Sequence, residues 1–404
     1  MKKNLVFIIV LILIIACKKE NKTKNNMEIE SNNKGTFGYD AAFLKKHDKK
    51  LVILKSGAAK VIVSPKFQAK VFTSTADGNE GKSLGWINYK AFGKQNKHMN
   101  AYGGENRFWL GPEGGVFSLF FEPKTAMIFD NWKTPAPIDN ESWDVIRVNG
   151  NSILLTKKMR LKNYSNVDFN MNVEREILIL AENEIEKILK ISSENLKVVG
   201  YKTKNSIENN GNFAWTETTG APCIWILDMF PPSEKTTVVV PYNTDAEGKI
   251  ATTDYFGQIP ENRVTTNNGT LYFKADGKSR GKLGIGPKRA NNIAGSYDGI
   301  NKILTITLFD VDANATYLNQ EWKLEGNPFV GDAINAYNDG PLDDGSQMGP
   351  FYEIESVSPA AFLKPNEKLT HNHTVFHFMG KLEQLNSISK RVLGVALEEI
   401  NNAL

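Results

Sequence analysis

Along most of this chain apolar and polar positions recur with a period of two rather than 3.6. Residues 51–54, 59–63 and 69–72 open the series, and 115–121 and 152–156 continue it. Residues 167–173, 177–180, 188–191 and 236–240 follow, and 271–273, 303–308, 351–356 and 369–378 complete it. These runs are rich in β-branched and aromatic residues, which fit a pleated, half-buried surface, and Gly, Pro, Asn and Asp separate them. About fifteen to twenty such strands without an internal repeat predict an all-β fold, a large double-sheet sandwich whose strands bend around a concave face. One segment differs. From Lys381 onward Leu382, Leu385, Ile388, Val392, Ala396 and Ile400 recur at three- and four-residue spacing, which predicts a closing amphipathic helix packed on the sheet. Gly394 is the weak point of that helix.

The first twenty residues follow another pattern. Lys2 and Lys3 precede an apolar run from Leu5 to Ile15, then Ala16 and Cys17. Such a run is too short to span a bilayer, which takes about 20 residues, and has the layout of a secretory signal. The Ile14-Ile15-Ala16-Cys17 stretch resembles a bacterial lipobox, which predicts a signal peptide over 1–16 and a lipidated Cys17 at the mature N-terminus. Lys18, rather than Asp, after the cysteine predicts lipid-anchored residence in the outer membrane, on either of its faces. Residues 17–36 are Lys-, Asn- and Glu-rich and read as a tether. Residues 37–404 are expected to form a single β-sandwich domain with no further membrane span.

Composition narrows the function by exclusion. The formal charge of +4 is spread along the chain, and no basic cluster with interleaved aromatics marks a nucleic-acid surface. Cys223, the second of two cysteines, sits in an apolar run and reads as an inert buried thiol. Neither a Gly-rich phosphate loop nor a nucleophile elbow nor a Cys-x-x-Cys pair is present, so no cofactor is expected.

Three segments carry candidate chemistry. Residues 101–115 hold Glu105, Asn106, Arg107, Trp109 and Glu113 among five glycines. Sugars expose hydroxyls at their edges and C–H patches on their faces, so charged hydrogen-bonding groups beside an indole suit a saccharide. A structural ion pair between Arg107 and a glutamate is the alternative. Residues 272–284 contain Arg280 and Lys282, which suit an anionic group or belong to a solvated hairpin turning at Gly277. Residues 337–355 end in Glu353 and Glu355, two apart on a strand and so on one face, where carboxylates can share acid and base roles. Asp343 and Asp344 beside them leave a calcium ion as an option. His371, His373 and His377 occupy the odd face of one strand and read as solvent-facing or capped rather than metal-ligating.

Residues 103–115, together with 222–230, 337–341 and 351–356, resemble the hallmark of a family of bacterial lipoproteins built on a domain of unknown function. More distantly the chain resembles the galactose mutarotase-like superfamily. That resemblance implies a supersandwich binding sugars on a concave face, and it extends to accessory domains of polysaccharide lyases and glycoside hydrolases. Aldose epimerases of this kind use a mid-chain histidine acid and a glutamate base near the C-terminus. Here no histidine lies between His98 and His371, so His98, a C-terminal histidine or Lys282 would have to replace that acid.

The expectation is a carbohydrate-binding or carbohydrate-active outer-membrane lipoprotein. In one form Glu105, Arg107, Lys282, Glu353 and Glu355 do epimerase- or lyase-type acid–base chemistry. Asn106, Trp109, Glu113, His98 and Arg280 then bind the sugar. In the other form it is a non-catalytic saccharide-binding lipoprotein of a glycan-uptake system. A purely structural envelope protein is disfavoured by the density of polar and aromatic groups at 101–115.

Overall fold

The computed structural model describes residues 33–404 and packs two antiparallel β-sheets face to face. With strands numbered in chain order, the eight-stranded sheet runs β1 (Val52–Ser56), β2 (Ala59–Ser64), β3 (Lys70–Thr75), β4 (Asn106–Gly111), β9 (Cys223–Phe230), β17 (Tyr352–Val357), β16 (Ile334–Asn338), β13 (Gly281–Ile285). The ten-stranded sheet runs β11 (Val264–Asn267), β12 (Thr270–Lys274), β10 (Thr236–Pro241), β14 (Ile293–Asp298), β15 (Ile303–Phe309), β18 (Lys368–Met379), β8 (Lys197–Asn209), β7 (Asp168–Ile179), β6 (Ser152–Lys162), β5 (Asp144–Val148). The all-β architecture expected from the alternation is therefore the one found. The predicted signal segment 1–16, Cys17 and all of the tether except residues 33–36 lie outside the described residues.

Each sheet buries alternate residues against the other. Phe108, Ile226 and Ile354 from the first meet Val173, Ile207 and Val375 from the second in one continuous core. The ten-stranded sheet is covered on its far face too, where Phe376, Phe378, Leu304 and Ile306 pack under α3 (Leu382–Val392) and α4 (Leu397–Asn402). The C-terminal helical stretch is thus two helices, broken at Gly394, which adopts φ +75°. A left-handed backbone of that kind ends a helix and favours glycine. A further helix, α1 (Phe37–His47), has no counterpart among the predicted elements. Its Phe37 and Leu44 pack with Ile62 and Phe72 over the outer face of β2 and β3. Among the described residues no α-helix covers the outer face of β4, β9, β17, β16 and β13, and there the candidate site forms.

Three other expectations change. Residues 188–191 close a helix, α2 (Glu182–Leu189), not a strand: Ile185 and Leu189 bury one turn apart and Lys190 leaves at φ 54°. Residues 115–121 form a compact loop, because Ser118 and Leu119 bond locally to Gly115 and Pro112 (both 3.0 Å) while Phe120 and Phe121 are buried. Residues 272–284 are no hairpin either, since β12 and β13 lie in different sheets and the segment crosses between them.

Ile226 is fully buried at the centre of this core, whereas Ile146 on edge strand β5 is 60% exposed. Ile226→Ala should cost about 2–5 kcal/mol in urea denaturation and Ile146→Ala no more than about 0.5. Equal losses would contradict the assigned packing.

Candidate functional site

Strand register explains which side chains converge. Lys282 lies opposite Tyr337, Tyr337 opposite Glu353, and Glu353 opposite Met229. In the neighbouring row Asn335 faces Glu355, Glu355 faces Leu227, and Leu227 faces Arg107. Trp225 opposite Trp109 begins a third row. Directly opposed residues project from the same face of an antiparallel pair, so all of these point away from the ten-stranded sheet.

The charges pair diagonally between the rows. Arg107 donates through Nη2 to Glu353, and Lys282 Nζ lies 3.0 Å from Glu355 Oε2. The Trp225 indole N–H donates to the same Glu355 oxygen at 2.8 Å. Lys282 Nζ also stands 4.5 Å from the Trp225 ring centroid, and the Arg107 guanidinium 5.0 Å from that of Trp109. All four charged groups are buried, so each ion is stabilised by its partner rather than by water.

Above this floor opens a cleft. Its walls add Glu113, Phe129, Trp132, Phe256, Arg280, Trp322, Met348 and Phe351. Trp132 and Trp322 stack at 6.0 Å, so four of the seven tryptophans line one cleft. Two buried polar atoms on the lining have no hydrogen-bond partner, Arg107 Nε and Glu355 Oε1, while the indole N–H groups of Trp132 and Trp322 are directed at the Glu113 carboxyl. Polar groups left so are costly, and their convergence is the mark of a place for a polar ligand. Burial raises the Glu353 carboxyl well above the usual carboxylate range, against the pull of Arg107 and with the push of Glu355. Burial likewise raises Glu113, which faces Lys282, Glu355 and the two indole N–H groups.

A family model, the Family of unknown function (DUF6786), matches residues 35–404. The chain belongs to this family. No curated protein is similar to it in sequence. Among solved structures it is similar to the Slr1438 protein from Synechocystis sp. PCC 6803, with TM-score 0.50 and 11% identity over 82% of this chain and 96% of that one. A galactose mutarotase related enzyme from Lactobacillus acidophilus gives TM-score 0.45 and 9% identity over 81% and 97%. A galactose mutarotase-like protein from Lactobacillus casei ATCC 334 gives 0.45 and 9% over 81% and 99%. The two Lactobacillus proteins carry galactose mutarotase names, and at these identities the likeness concerns fold alone.

In this family member the cleft gathers Arg107, Trp109, Glu113, Arg280, Lys282, Glu353 and Glu355. Three predicted site residues fall elsewhere. Glu105 and Asn106 both turn between the sheets, Glu105 to Ser74 and His377, Asn106 to Asp228 and Arg175. The pleat is interrupted there, after Gly103 and Gly104 at positive φ, so the alternation that puts Arg107 outward does not extend back to Glu105. His98 stands beside the cleft, its Nδ1 2.7 Å from the Trp132 carbonyl and its ring 4.4 Å from Phe129, and does not line it. The three C-terminal histidines are not solvent-facing. They are buried between the sheets and capped, His371 and His373 by Ser356, His373 also by Asp228 at 2.7 Å, and His377 by Glu105. Cys223 is buried, and its thiol is pushed up to about 12. Asp343 and Asp344 lie on an exposed loop, and among the described residues no three His, Cys, Asp or Glu side chains group as metal ligands. Trp132 and Trp322, which no sequence motif marked, arrive on loops far apart in the chain.

Because burial raises the folded-state affinity of Glu353 for its proton, the native chain holds that proton more tightly than the unfolded one. Its contribution to stability is full at low pH and is lost as pH rises from the ordinary 4.5 toward about 8. Urea denaturation at several pH values should show a fall across this window that is shallower in Glu353→Gln. An unchanged slope would remove Glu353 from the raised set.

Proposed function

We propose that the cleft binds a saccharide and moves protons on it. The observation that carries this reading is a floor of unlike carboxylates between cations, walled by four indoles. A pyranose ring meets indole faces through its C–H patches, and its hydroxyls meet charged groups at the edges. Glu355 keeps Oε1 unpartnered while Oε2 is held by Lys282 and Trp225, so a free lone pair is available to take a hydroxyl proton. Glu113, whose neutral form burial favours, is suited to return a proton to a ring or leaving oxygen. Arg107 and Lys282 offset charge that develops on the sugar. A transfer of this kind, as in epimerisation, needs no cofactor.

One observation favours a non-catalytic binder instead. Glu353 and Glu355 are each held in an ion pair, and no histidine lines the cleft. Monosaccharide mutarotation followed by polarimetry separates the two. Catalysis should exceed the buffer rate and fall about 10²–10⁴-fold in Glu355→Gln. Sugar binding with a rate no faster than buffer leaves the binder of a glycan-uptake system.

The location proposed for this activity is the outer membrane, through acyl chains on Cys17. The apolar run and lipobox-like 14–17 stretch support it, and among the described residues no helix is long and apolar enough to cross a membrane. Cells expressing the protein should incorporate labelled palmitate into it, and Cys17→Ser should abolish the label. Labelling that survives the substitution removes the anchor.

A further inference from the structure

Charge on the lining of the cleft is unevenly matched. Arg107 pairs with Glu353 and Lys282 with Glu355. Arg280, the third cation, stands in no ion pair among the described residues. Its Nε donates to the Tyr337 hydroxyl at 3.4 Å and its guanidinium lies 3.9 Å over the Phe256 ring. Those contacts hold the planar group over the mouth and leave both terminal nitrogens without an acceptor. Glu113, the third carboxyl, is buried with no cation bonded to it, and burial favours its neutral form. With Glu353 ionised against Arg107, Arg280 is the cation on the lining with no carboxylate bonded to it. The buried Asp339 is joined to it only through the Tyr337 hydroxyl, which donates to Asp339 Oδ1 at 3.1 Å.

The unpartnered hydrogen-bonding atoms lean the same way. The two terminal nitrogens of Arg280 and Arg107 Nε are donors, and Glu355 Oε1 is an acceptor. A hydroxyl brings a donor with every acceptor, whereas a carboxylate or sulfate only accepts. A guanidinium also meets such groups with two parallel bonds.

Resting on the saccharide reading above, we infer that the sugar this cleft selects carries one negative charge, as a uronate carboxylate or a sulfate ester, and sets it against Arg280. One unmatched cation suits a monoanion better than a phosphate dianion. The ring then lies over the indoles, with an uncharged hydroxyl directed to Glu355.

Titration calorimetry on the purified protein decides the matter, with galactose, galacturonate, glucuronate, a galactose sulfate and a hexose 6-phosphate as ligands. At about 0.1 M salt one of the monoanions should bind at least about tenfold more tightly than galactose, and the gap should close near 1 M, where charges are screened within about 3 Å. Whether uronate or sulfate gives the larger gap identifies the acid group. Arg280→Met should bring the ratio of acidic to neutral affinity close to one. Arg280 is exposed, and the salt dependence of the unaltered protein tests the idea without any substitution. Galactose binding as tightly as every monoanion, or the phosphate binding tightest, overturns this inference and leaves the saccharide reading standing. No binding of any of the five removes both.

Discussion

A carboxylate taken out of water must find a cation, and in this protein two of them do so diagonally across neighbouring strands. Arg107 on β4 reaches over β9 to Glu353 on β17, and Lys282 on β13 reaches over β16 to Glu355. Neither pair survives a change of register. Sliding β17 by one residue would turn both glutamates into the inter-sheet core and leave Arg107 and Lys282 without counter-charge. The floor of the cleft and the pairing of five strands are therefore one constraint.

Beneath that floor a second polar layer ties the sheets together. Asp228 accepts from Asn106 at 2.6 Å and pairs with His373 of β18 at 2.7 Å. Arg175 of β7 donates to Asn205 at 2.7 Å and to the Ala69 carbonyl at 3.1 Å, and it also reaches Asn106. Ser356, the residue after Glu355, bonds both His371 and His373 at 2.8 Å. The strands that carry the cleft residues outward are thus held from behind by residues one position away in the same strands. Such a supporting layer keeps a site's geometry from drifting. It also gives Glu105 a structural place, since its bonds to Ser74 and His377 join β3 to β18.

Much of the fold was legible because alternation is a local signal. The period of two identified most strands, and the three- and four-residue spacing after Lys381 identified the closing helices apart from their break at Gly394. Where the reading failed, the apolar residues were local in sequence but not extended in space. The run at 115–121 folds back on itself, and Ile188 and Leu189 complete a helical turn. In the site, Glu353 and Glu355 could be placed on one face from their spacing alone, and Arg107 beside Trp109 marked a cleft strand.

The sequence by itself determined which residues share a face of each strand, because successive side chains of a strand must point to opposite sides. It could not say which face meets the other sheet, or which strands stand side by side. Those choices depend on contacts between residues far apart in the chain, such as Arg107 with Glu353 or Trp132 with Trp322. Only the tertiary structure turned Glu105, Asn106 and the three histidines inward and gathered four tryptophans around two ion pairs. The cleft is a product of long-range register, which no local pattern encodes.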